Sequence, residues 1–365
     1  MSRIAVLKGG RSLERQVSLR SGARVEDALQ RLGHEVVGVD VGLDLIRRLR
    51  EEEPDAAFVA LHGRDGEDGT VQELLEILGV PYTGSGVLAC SRATDKVLTK
   101  HLLLEEGIPT AEFFAFTQTA FRELGAAETL PAIAARLDFP IVVKPSSQGS
   151  ALGIKFARTP EDVPAALVAA FSYDGRVLLE RHVQGRDLAV SVLDGPEGPE
   201  ALPVVEAMPR EEDFYDFEAR YEIGRTEFVC PAELPEGVTE RATELALATY
   251  EILGLYGFGR VDLMLDEADE LYVLEANPIP GLTETSLLPQ TAEAADISST
   301  SWSGGSSSWP SRPLRPRRSA KRTVEEARMA SKIIQSAGRM PARAIPPLPR
   351  LRPPPRPLRS RSPPA

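Results

Sequence analysis

Three side chains near residue 270 have the types and spacing of a metal site. Glu275 and Asn277 are two residues apart in an apolar run, so on a β-strand they point to the same face. A hairpin with a four-residue loop would put Asp266 opposite Leu271 and, in the same register, Asp262 opposite Glu275. Hard oxygen ligands suit Mg²⁺, which takes the rest of its shell from water and phosphates. The pattern predicts a magnesium site, and an acidic hairpin edge without a ligand is the alternative.

A Gly/Ser-rich stretch at residues 146–153 lies between two apolar runs and has Lys144 at its entrance. The backbone N–H groups of such a loop can surround phosphate oxygens, while the lysine supplies a positive charge. The stretch matches neither the P-loop pattern G-x-x-x-x-G-K-[ST] nor the glycine spacing of a dinucleotide-binding loop. It indicates a phosphate-binding loop of another kind, and a flexible hairpin loop is the alternative.

The elements that would position these groups are short apolar strands and helices. Predicted strands lie at residues 4–7, 36–41, 57–61, 113–116, 141–143, 154–157, 177–180, 188–193, 261–265 and 271–277. Predicted helices lie at residues 13–32, 43–52, 70–78, 95–106 and 239–253. The strict alternation in the first 80 residues is typical of a parallel sheet covered by helices. The sequence therefore predicts an α/β fold that is α+β in parts.

The net charge of −12 over 365 residues conceals two very different regions. Residues 299–365 carry a net charge of +13 and many prolines, while the preceding body carries −25. A segment this rich in Pro, Ser and Arg buries too little apolar surface to fold alone, so the tail is predicted to be disordered. The positive charge of the tail would suit contacts with nucleic-acid phosphates, so a nucleic-acid-binding protein is one alternative. The negative charge of the body argues against it. The abrupt change near Ser298 fits either an added extension or a shifted reading frame.

Several classes of protein are disfavoured by what the sequence lacks. No run approaches the roughly 20 apolar residues of a membrane span, and the first residues do not resemble a secretory signal. Cys90 and Cys230 lie far apart, without the spacing of a metal site or a disulfide framework. We therefore expect a cytoplasmic protein that does not bind membranes.

Nine short segments occur in an order that is typical of one enzyme family. They are Gly9 to Leu19, Leu61-His62-Gly63 with Gly66 to Gly69, Tyr82 to Gly86, Asp95-Lys96, Lys144 to Gly153, Phe214-Tyr215-Asp216, Gly259 to Asp262, Glu275-Ala276-Asn277 and Pro280 to Thr283. Through them the chain from about Arg3 to Ile297 resembles the D-alanine:D-alanine ligases of the ATP-grasp superfamily. The resemblance implies an N-terminal parallel-sheet domain at residues 1–94, followed by a two-lobed ATP-grasp module at residues 95–185 and 186–298. The tail at residues 299–365 would follow that module.

The resemblance also implies an activity. Members of the family join two D-alanines for peptidoglycan synthesis: ATP phosphorylates one carboxylate, and the amine of the second D-alanine attacks the acyl phosphate. Phosphoryl transfer of this kind needs mainly positioning and charge neutralisation. Two Mg²⁺ ions, or Mn²⁺ in their place, would serve ATP, and the chain would form a homodimer that binds no nucleic acid. A related ligase that takes D-lactate as second substrate is an alternative, against which Tyr221 argues.

Site residues are implied position by position. The catalytic groups would be Glu14, Ser150, Tyr221, Arg260 and Gly281, and the other amino-acid contacts would be His62, Ser286 and Leu287. ATP would meet Lys96, Lys144, Glu180, Asp187 and Arg220, and the metal ligands would be Asp262, Glu275 and Asn277. Two of the departures from the family concern predicted ATP contacts. Arg220 replaces the usual Lys and is bulkier and forked, whereas Asp187 stands where the longer Glu is common.

Overall fold

The computed structural model describes residues 2–195, 197–209 and 225–295. Two predicted site residues, Arg220 and Tyr221, and the predicted disordered tail at 299–365 lie outside these ranges. In the described part, no helix is both long and apolar enough to cross a bilayer.

The first sheet is parallel and has three strands in the order β2-β1-β3. They are β1 (Arg3–Lys8), β2 (Glu35–Asp40) and β3 (Ala56–Val59), and they are accompanied by helices α1 (Arg15–Arg31), α2 (Leu45–Glu52) and α3 (Thr70–Leu78). Helix α1 ends because Gly33 adopts a φ of +81°, which lets the N–H of His34 reach the carbonyl of Leu29 at 3.1 Å. The predicted parallel sheet at the start of the chain is confirmed.

Two helices lead from the first sheet to the second. They are α4 (Val87–Thr94) and α5 (Lys96–Glu105). Asp95 caps α5, because its Oδ1 accepts the N–H groups of Val97 at 3.0 Å and Leu98 at 3.2 Å. Ala93 and Leu103 from these helices pack into the core of the third sheet. Helix α5 therefore presents its first turn, with Lys96, next to that sheet.

The second sheet is antiparallel, with strand order β4-β7-β5-β6. Its strands are β4 (Phe113–Thr117), β5 (Ile141–Pro145), β6 (Lys155–Ala157) and β7 (Arg176–Arg181). Helices α6 (Gln118–Glu123), α7 (Leu130–Leu137) and α8 (Val163–Phe171) belong to the same unit, with short 3₁₀ turns at Ala126–Thr129 and Pro160–Asp162. The Gly/Ser-rich stretch is the loop of the β5–β6 hairpin, so its predicted position between two strands is correct.

The third sheet is also antiparallel and has the path β11-β10-β8-β12-β13, with β9 paired to β8. Its strands are β8 (Gly185–Asp194), β9 (Pro199–Ala201), β10 (Val205–Pro209), β11 (Thr226–Val229), β12 (Phe258–Asp266) and β13 (Leu271–Asn277). Helix α9 (Val238–Leu253) buries Ala242, Ala246, Tyr250 and Leu253 in the core of this sheet, at the spacing of one helical face. The last helix is α10 (Leu287–Ala294).

The register of the β12–β13 hairpin corrects one prediction and confirms another. Leu271 pairs with Leu265 rather than with Asp266, so the predicted register at the turn is wrong by one residue. The register then shifts between Asp262 and Leu263, with the result that Asp262 does oppose Glu275. Because Leu263 pairs with Val273 and Asp262 with Glu275, the extra residue is Leu274, which forms a β-bulge.

The bulge decides which way Glu275 points. Side chains alternate along a strand, so if Leu274 took a regular place in that alternation, Glu275 would share the face of Leu271 and Val273. Both of those residues are buried in the core of the third sheet. Past the bulge it is Ala276 that joins this core, while Glu275 and Asn277 face the opposite side. Because Leu274 is accommodated in a bulge, the predicted metal ligands Glu275 and Asn277 face away from the core.

Candidate active site

Two clefts adjoin at the β12–β13 hairpin. Side chains and backbone at the first cleft include Glu67, Lys96, Gln148, Ser150, Arg260, Glu275, Asn277, Gly281, Ser286 and Leu287. The second cleft, between the second and third sheets, is lined by residues that include Lys144, Phe156, Glu180, Asp187, Asp262, Met264, Leu274, Glu275 and Leu287. Glu275 and Leu287 line both, so groups bound in the two clefts would meet beside Glu275.

Cations and carboxylates pair closely where the clefts meet. The guanidinium of Arg260 donates to both carboxylate oxygens of Asp262, at 2.6 and 2.8 Å. On the neighbouring strand, Oε2 of Glu275 lies 3.1 Å from Nζ of Lys96. Lys96 also donates to the carbonyl of Gln148 at 2.8 Å and so ties the Gly/Ser-rich loop to α5. Closely spaced charges of both signs suit a site for phosphates and their counter-ions.

Glu14 lies behind the wall of the first cleft, at the start of α1, with only 2% of its surface exposed. The hydroxyl of Ser150 donates to its Oε1. Gly63 makes room for the other oxygen: at φ +71° it passes so close that a Cβ there would lie 2.3 Å from Oε2. No described residue donates to that Oε2.

The surroundings of Glu14 disfavour its negative charge. Burial, reinforced by the nearby carboxylate of Glu67, raises the pKa of Glu14 to about 7. A cation brought to the carboxylate would reverse this effect, since an opposite charge favours the ionised form. Glu14 is therefore suited to receive an ammonium group, and it would then be held in place by Ser150.

The second cleft contains a buried carboxylate held by two lysines. Glu180 on β7 is 2% exposed and contacts Lys144 on β5, while Nζ of Lys100 on α5 lies 2.6 Å from its Oε2. Burial alone would raise the pKa of Glu180, but the two lysines hold it below its ordinary value. Apolar side chains face the cleft from both sheets, among them Phe156 on β6 and Met264 on β12. A flat ring could lie between these walls, with polar groups at its edge.

Lys100 connects this carboxylate to the β12–β13 hairpin. It is completely buried, forms an ion pair with Glu180, and donates hydrogen bonds to the Thr110 hydroxyl at 2.5 Å and the Ala111 carbonyl at 3.2 Å. The Thr110 hydroxyl in turn donates to the carbonyl of Val273 at 2.7 Å. Val273 directly precedes the bulge, so one ion pair and two hydrogen bonds connect a cleft wall to the strand that carries Glu275.

The loop between β13 and α10 is built by local hydrogen bonds. Asn277 accepts the N–H of Ile279 at 2.9 Å through its Oδ1, which fixes the first turn of the loop. Ser286 accepts the N–H of Thr283 at 2.9 Å and closes the last turn. Ser286 also crowds Gly281, where a Cβ would lie 2.7 Å from its Oγ. A glycine at 281 therefore keeps the backbone of this loop open to the first cleft.

The hairpin side chains fit a hard divalent cation. Asp262 and Glu275 face each other across the two strands, and Asn277 follows Glu275 on the same face. Carboxylate and amide oxygens are the ligands of Mg²⁺ or Mn²⁺. Within residues 2–195, 197–209 and 225–295 no three His, Cys, Asp or Glu side chains converge as a metal site. A metal here would thus take two carboxylates and one amide from the described chain, and the rest of its shell from phosphate and water.

The structure gathers the predicted site residues that it describes. The first cleft brings together Lys96, Ser150, Arg260, Glu275, Asn277, Gly281, Ser286 and Leu287. The second adds Lys144, Glu180, Asp187 and Asp262, while Glu14 and His62 lie behind the wall of the first. Sequence reasoning missed Lys100, Glu67 and Gln148. For Lys100 a signal was present, because it lies one helical turn after Lys96 on the same face of α5.

The sequence matches two profiles of one family. The profile described as D-ala D-ala ligase C-terminus matches residues 102–301, and the one described as D-ala D-ala ligase N-terminus matches residues 42–85. The D-alanine–D-alanine ligase of Geobacter sulfurreducens is 44% identical over 291 residues, which cover 80% of this chain and 88% of that protein. The D-alanine–D-alanine ligase of Desulforudis audaxviator is 45% identical over 297 residues, 81% of this chain and 94% of that one.

A solved structure agrees with these matches. The Bacillus anthracis D-alanine–D-alanine ligase in complex with ATP superposes with a TM-score of 0.69 at 31% identity. The match covers 92% of this chain and 97% of that one. A structure from Coxiella burnetii, at 22% identity and a TM-score of 0.68, shares the fold.

Proposed function

This chain belongs to the D-alanine–D-alanine ligase family, and from that premise we propose that it joins two D-alanines in an ATP-dependent reaction that supplies peptidoglycan synthesis. A carboxylate oxygen of the first D-alanine takes the γ-phosphoryl group of ATP, and ADP is released. The amine of the second D-alanine then attacks the acyl phosphate, forms the peptide bond and displaces phosphate. The observation that supports this most directly is the pair of adjoining clefts with Glu275 between them.

In the first cleft the two amino acids would be held by opposite charges. Glu14 would meet the ammonium group of the first D-alanine, because its buried carboxylate has an oxygen without a donor among the described residues. Arg260 and the N–H of Gly281 would stabilise the negative charge that develops when the second amine attacks. The second D-alanine would place its carboxylate near Ser286 and Leu287 at the start of α10. Tyr221, predicted to join Glu14 and Ser150, stays a prediction.

In the second cleft the nucleotide would lie between the two antiparallel sheets. Phe156 and Met264 would cover the faces of the adenine ring, and Glu180 and Asp187 would accept hydrogen bonds from the adenosine. The phosphates would point toward Lys144 and the Gly/Ser-rich loop, where Lys96 already contacts the loop backbone. Arg220, predicted as a further phosphate contact, stays a prediction.

Asp262, Glu275 and Asn277 would hold Mg²⁺ near the phosphates, and we infer two ions; the same oxygen ligands would also accept Mn²⁺. The metal would neutralise charge on the transferred phosphoryl group. The chain's own part is to orient these three oxygens, and the bulge at Leu274 does this for Glu275. We further propose a homodimer that works in the cytoplasm, where ATP is available.

A direct test measures ADP release by the purified chain with ATP and Mg²⁺. We expect release that depends on D-alanine, a product with the mass of the dipeptide, and little release with L-alanine. D-lactate offered together with D-alanine tests the alternative second substrate, because an ester product would identify that activity. A rate of ATP consumption that does not depend on D-alanine would refute the proposal.

A further inference from the structure

A closed circuit of hydrogen bonds joins helix α1 to the loop after β13. The N–H of Leu282 donates to Oγ of Ser21 at 3.1 Å, and Ser21 Oγ lies 2.9 Å from Nε2 of His62. Nδ1 of the same ring lies 3.1 Å from the carbonyl oxygen of Ile279. The side chains of Ser21 and His62 in the N-terminal unit therefore link two backbone groups of the loop, the N–H of Leu282 and the carbonyl of Ile279.

For a neutral His62 ring, the chemistry of these partners fixes the direction of each bond. A carbonyl oxygen only accepts, so Nδ1 of His62 carries the proton. In the neutral ring Nε2 is then an acceptor, and it receives the hydroxyl proton of Ser21, whose oxygen is free to accept the N–H of Leu282. Both ring nitrogens of His62 are thus engaged by the protein. This leaves neither of them for an amino-acid substrate.

The two loop atoms that the circuit holds lie on either side of Gly281. Ile279 comes two residues before it and Leu282 directly follows it, and both side chains are buried in the core of the first sheet. Gly281 itself reaches the first cleft, whereas His62 stays behind the wall with 4% exposure. One turn after Ser21, Arg24 contacts Glu284 at 3.5 Å and adds a tether further along the same loop.

We propose that Ser21 and His62 are positioning residues, which set the backbone N–H of Gly281 for the reaction. His62 would thus act through the loop, not by touching D-alanine as the family resemblance implies. The inference rests on the proposed function only for the role of Gly281. A preorganised N–H donor stabilises developing charge best at one position, so loosening its loop should slow the chemical step more than it weakens nucleotide binding.

The chain offers a matched pair of variants. Ser18 and Ser21 are both on α1, both completely buried, and both hydroxyls make two hydrogen bonds. Those of Ser18 are to the N–H of Gly9 at 2.8 Å and the carbonyl of Ala60 at 2.7 Å, within the first sheet unit. Ser21→Ala and Ser18→Ala should therefore destabilise the fold to a similar extent. A purely structural role for Ser21 predicts similar kinetics as well.

We expect Ser21→Ala to lower kcat for dipeptide formation by about tenfold or more, a part of what loss of a whole oxyanion donor costs. KM for ATP should stay within about twofold, and Ser18→Ala should keep both constants near those of the parent. His62→Gln should likewise lower kcat more than it raises KM for D-alanine. If Ser21→Ala and Ser18→Ala have the same kcat, or if His62→Gln mainly raises KM for D-alanine, the inference is wrong.

A second measurement, by NMR, tests the hydrogen-bond circuit without enzyme turnover. The chain has four histidines, so the ring ¹⁵N signals of a labelled sample can be assigned. In the parent protein His62 should show an Nδ1–H ring with an accepting Nε2, and Ser21→Ala, but not Ser18→Ala, should change this signal. An unchanged His62 signal in Ser21→Ala would overturn the circuit even in an active enzyme. Absence of D-alanine-dependent ADP release by the parent protein would instead refute the proposed function.

Discussion

Among single side chains, Glu275 has the most demanding position. It lines both clefts, faces Asp262 across the hairpin and contacts Lys96 at 3.1 Å. A carboxylate placed between a lysine and a second carboxylate can hold a divalent cation only while it is ionised. Its charge, more than its size, should therefore matter to the reaction.

Glu275→Gln keeps the shape of the side chain and removes that charge. We expect the variant to fold and turnover to fall by orders of magnitude, because metal-assisted neutralisation of the phosphoryl group would be impaired. D-alanine-dependent ADP release over a Mg²⁺ titration measures this. Glu267→Gln, in the exposed loop of the same hairpin, is the control and should behave as the parent. Equal activity of both variants would contradict the metal role of Glu275.

Glu14 leads to a prediction about pH. Its pKa is raised to about 7 by burial, and a carboxyl group is ionised above its pKa, so kcat/KM for D-alanine should fall as pH drops below about 7. The hydrogen bond from Ser150 lowers this pKa, so Ser150→Ala should move the acid limb to higher pH. A pH profile of initial rates is the measurement. A limb that survives unchanged in Glu14→Gln would have to come from another group.

Among the elements, strand β13 receives support from outside its own sheet. At the bulge, Val273 donates its N–H to the carbonyl of Pro109 at 2.9 Å and accepts from Thr110 at 2.7 Å. Thr110 also accepts from Lys100, the buried partner of Glu180. The segment before β4 therefore holds the irregular part of the strand, and through Lys100 it is also connected to Glu180 in the second cleft.

Thr110→Val should disturb this support at nearly constant volume. It leaves a proton of Lys100 and the Val273 carbonyl without their partner, at a cost of roughly 1–3 kcal/mol in unfolding free energy. We expect KM for ATP to rise more than KM for D-alanine. Lys100 would lose its hydrogen bond to Thr110 and would hold its ion-pair partner Glu180 less rigidly. Thr249→Val, which removes another completely buried hydroxyl on α9, should cost stability without this selectivity. Equal kinetics of both variants would argue for a purely structural Thr110.

Local pattern was enough to predict the strands that carry the site, but not their irregularities. Apolar runs bounded by Gly and Pro placed β5, β12 and β13 correctly, because these are local signals. The bulge at Leu274 could not be predicted, since it depends on pairing with β12 and on the contact with Thr110. The same holds for Lys100 and Ser21, whose roles arise from partners distant in sequence. The domain boundaries after residues 94, 185 and 298 stay predictions.

On the scale of the whole chain, all predicted site residues that the structure describes lie between Glu14 and Leu287. The reaction should therefore not need residues 299–365, which account for the +13 part of the charge. A chain that ends after Ile297 should keep kcat within about twofold of the parent, since the truncation removes none of the predicted site residues. Rates of dipeptide formation by the two proteins provide the comparison. A truncated protein that is folded yet inactive would show that the tail contributes to the site.

The extra residue in β13 also constrains how related chains can differ in length. Deletion of Leu274 would remove the bulge and return the strand to strict alternation, and Glu275, then directly after Val273, would still face away from the core. A residue lost from the hairpin turn between Asp266 and Leu271 would alter only the turn. A homologue that is one residue shorter between Val273 and Glu275 should therefore have a regular hairpin and still present this carboxylate to the clefts. A one-residue alignment gap in that interval would mark a hairpin without the bulge, and not a homologue that has lost the carboxylate's position.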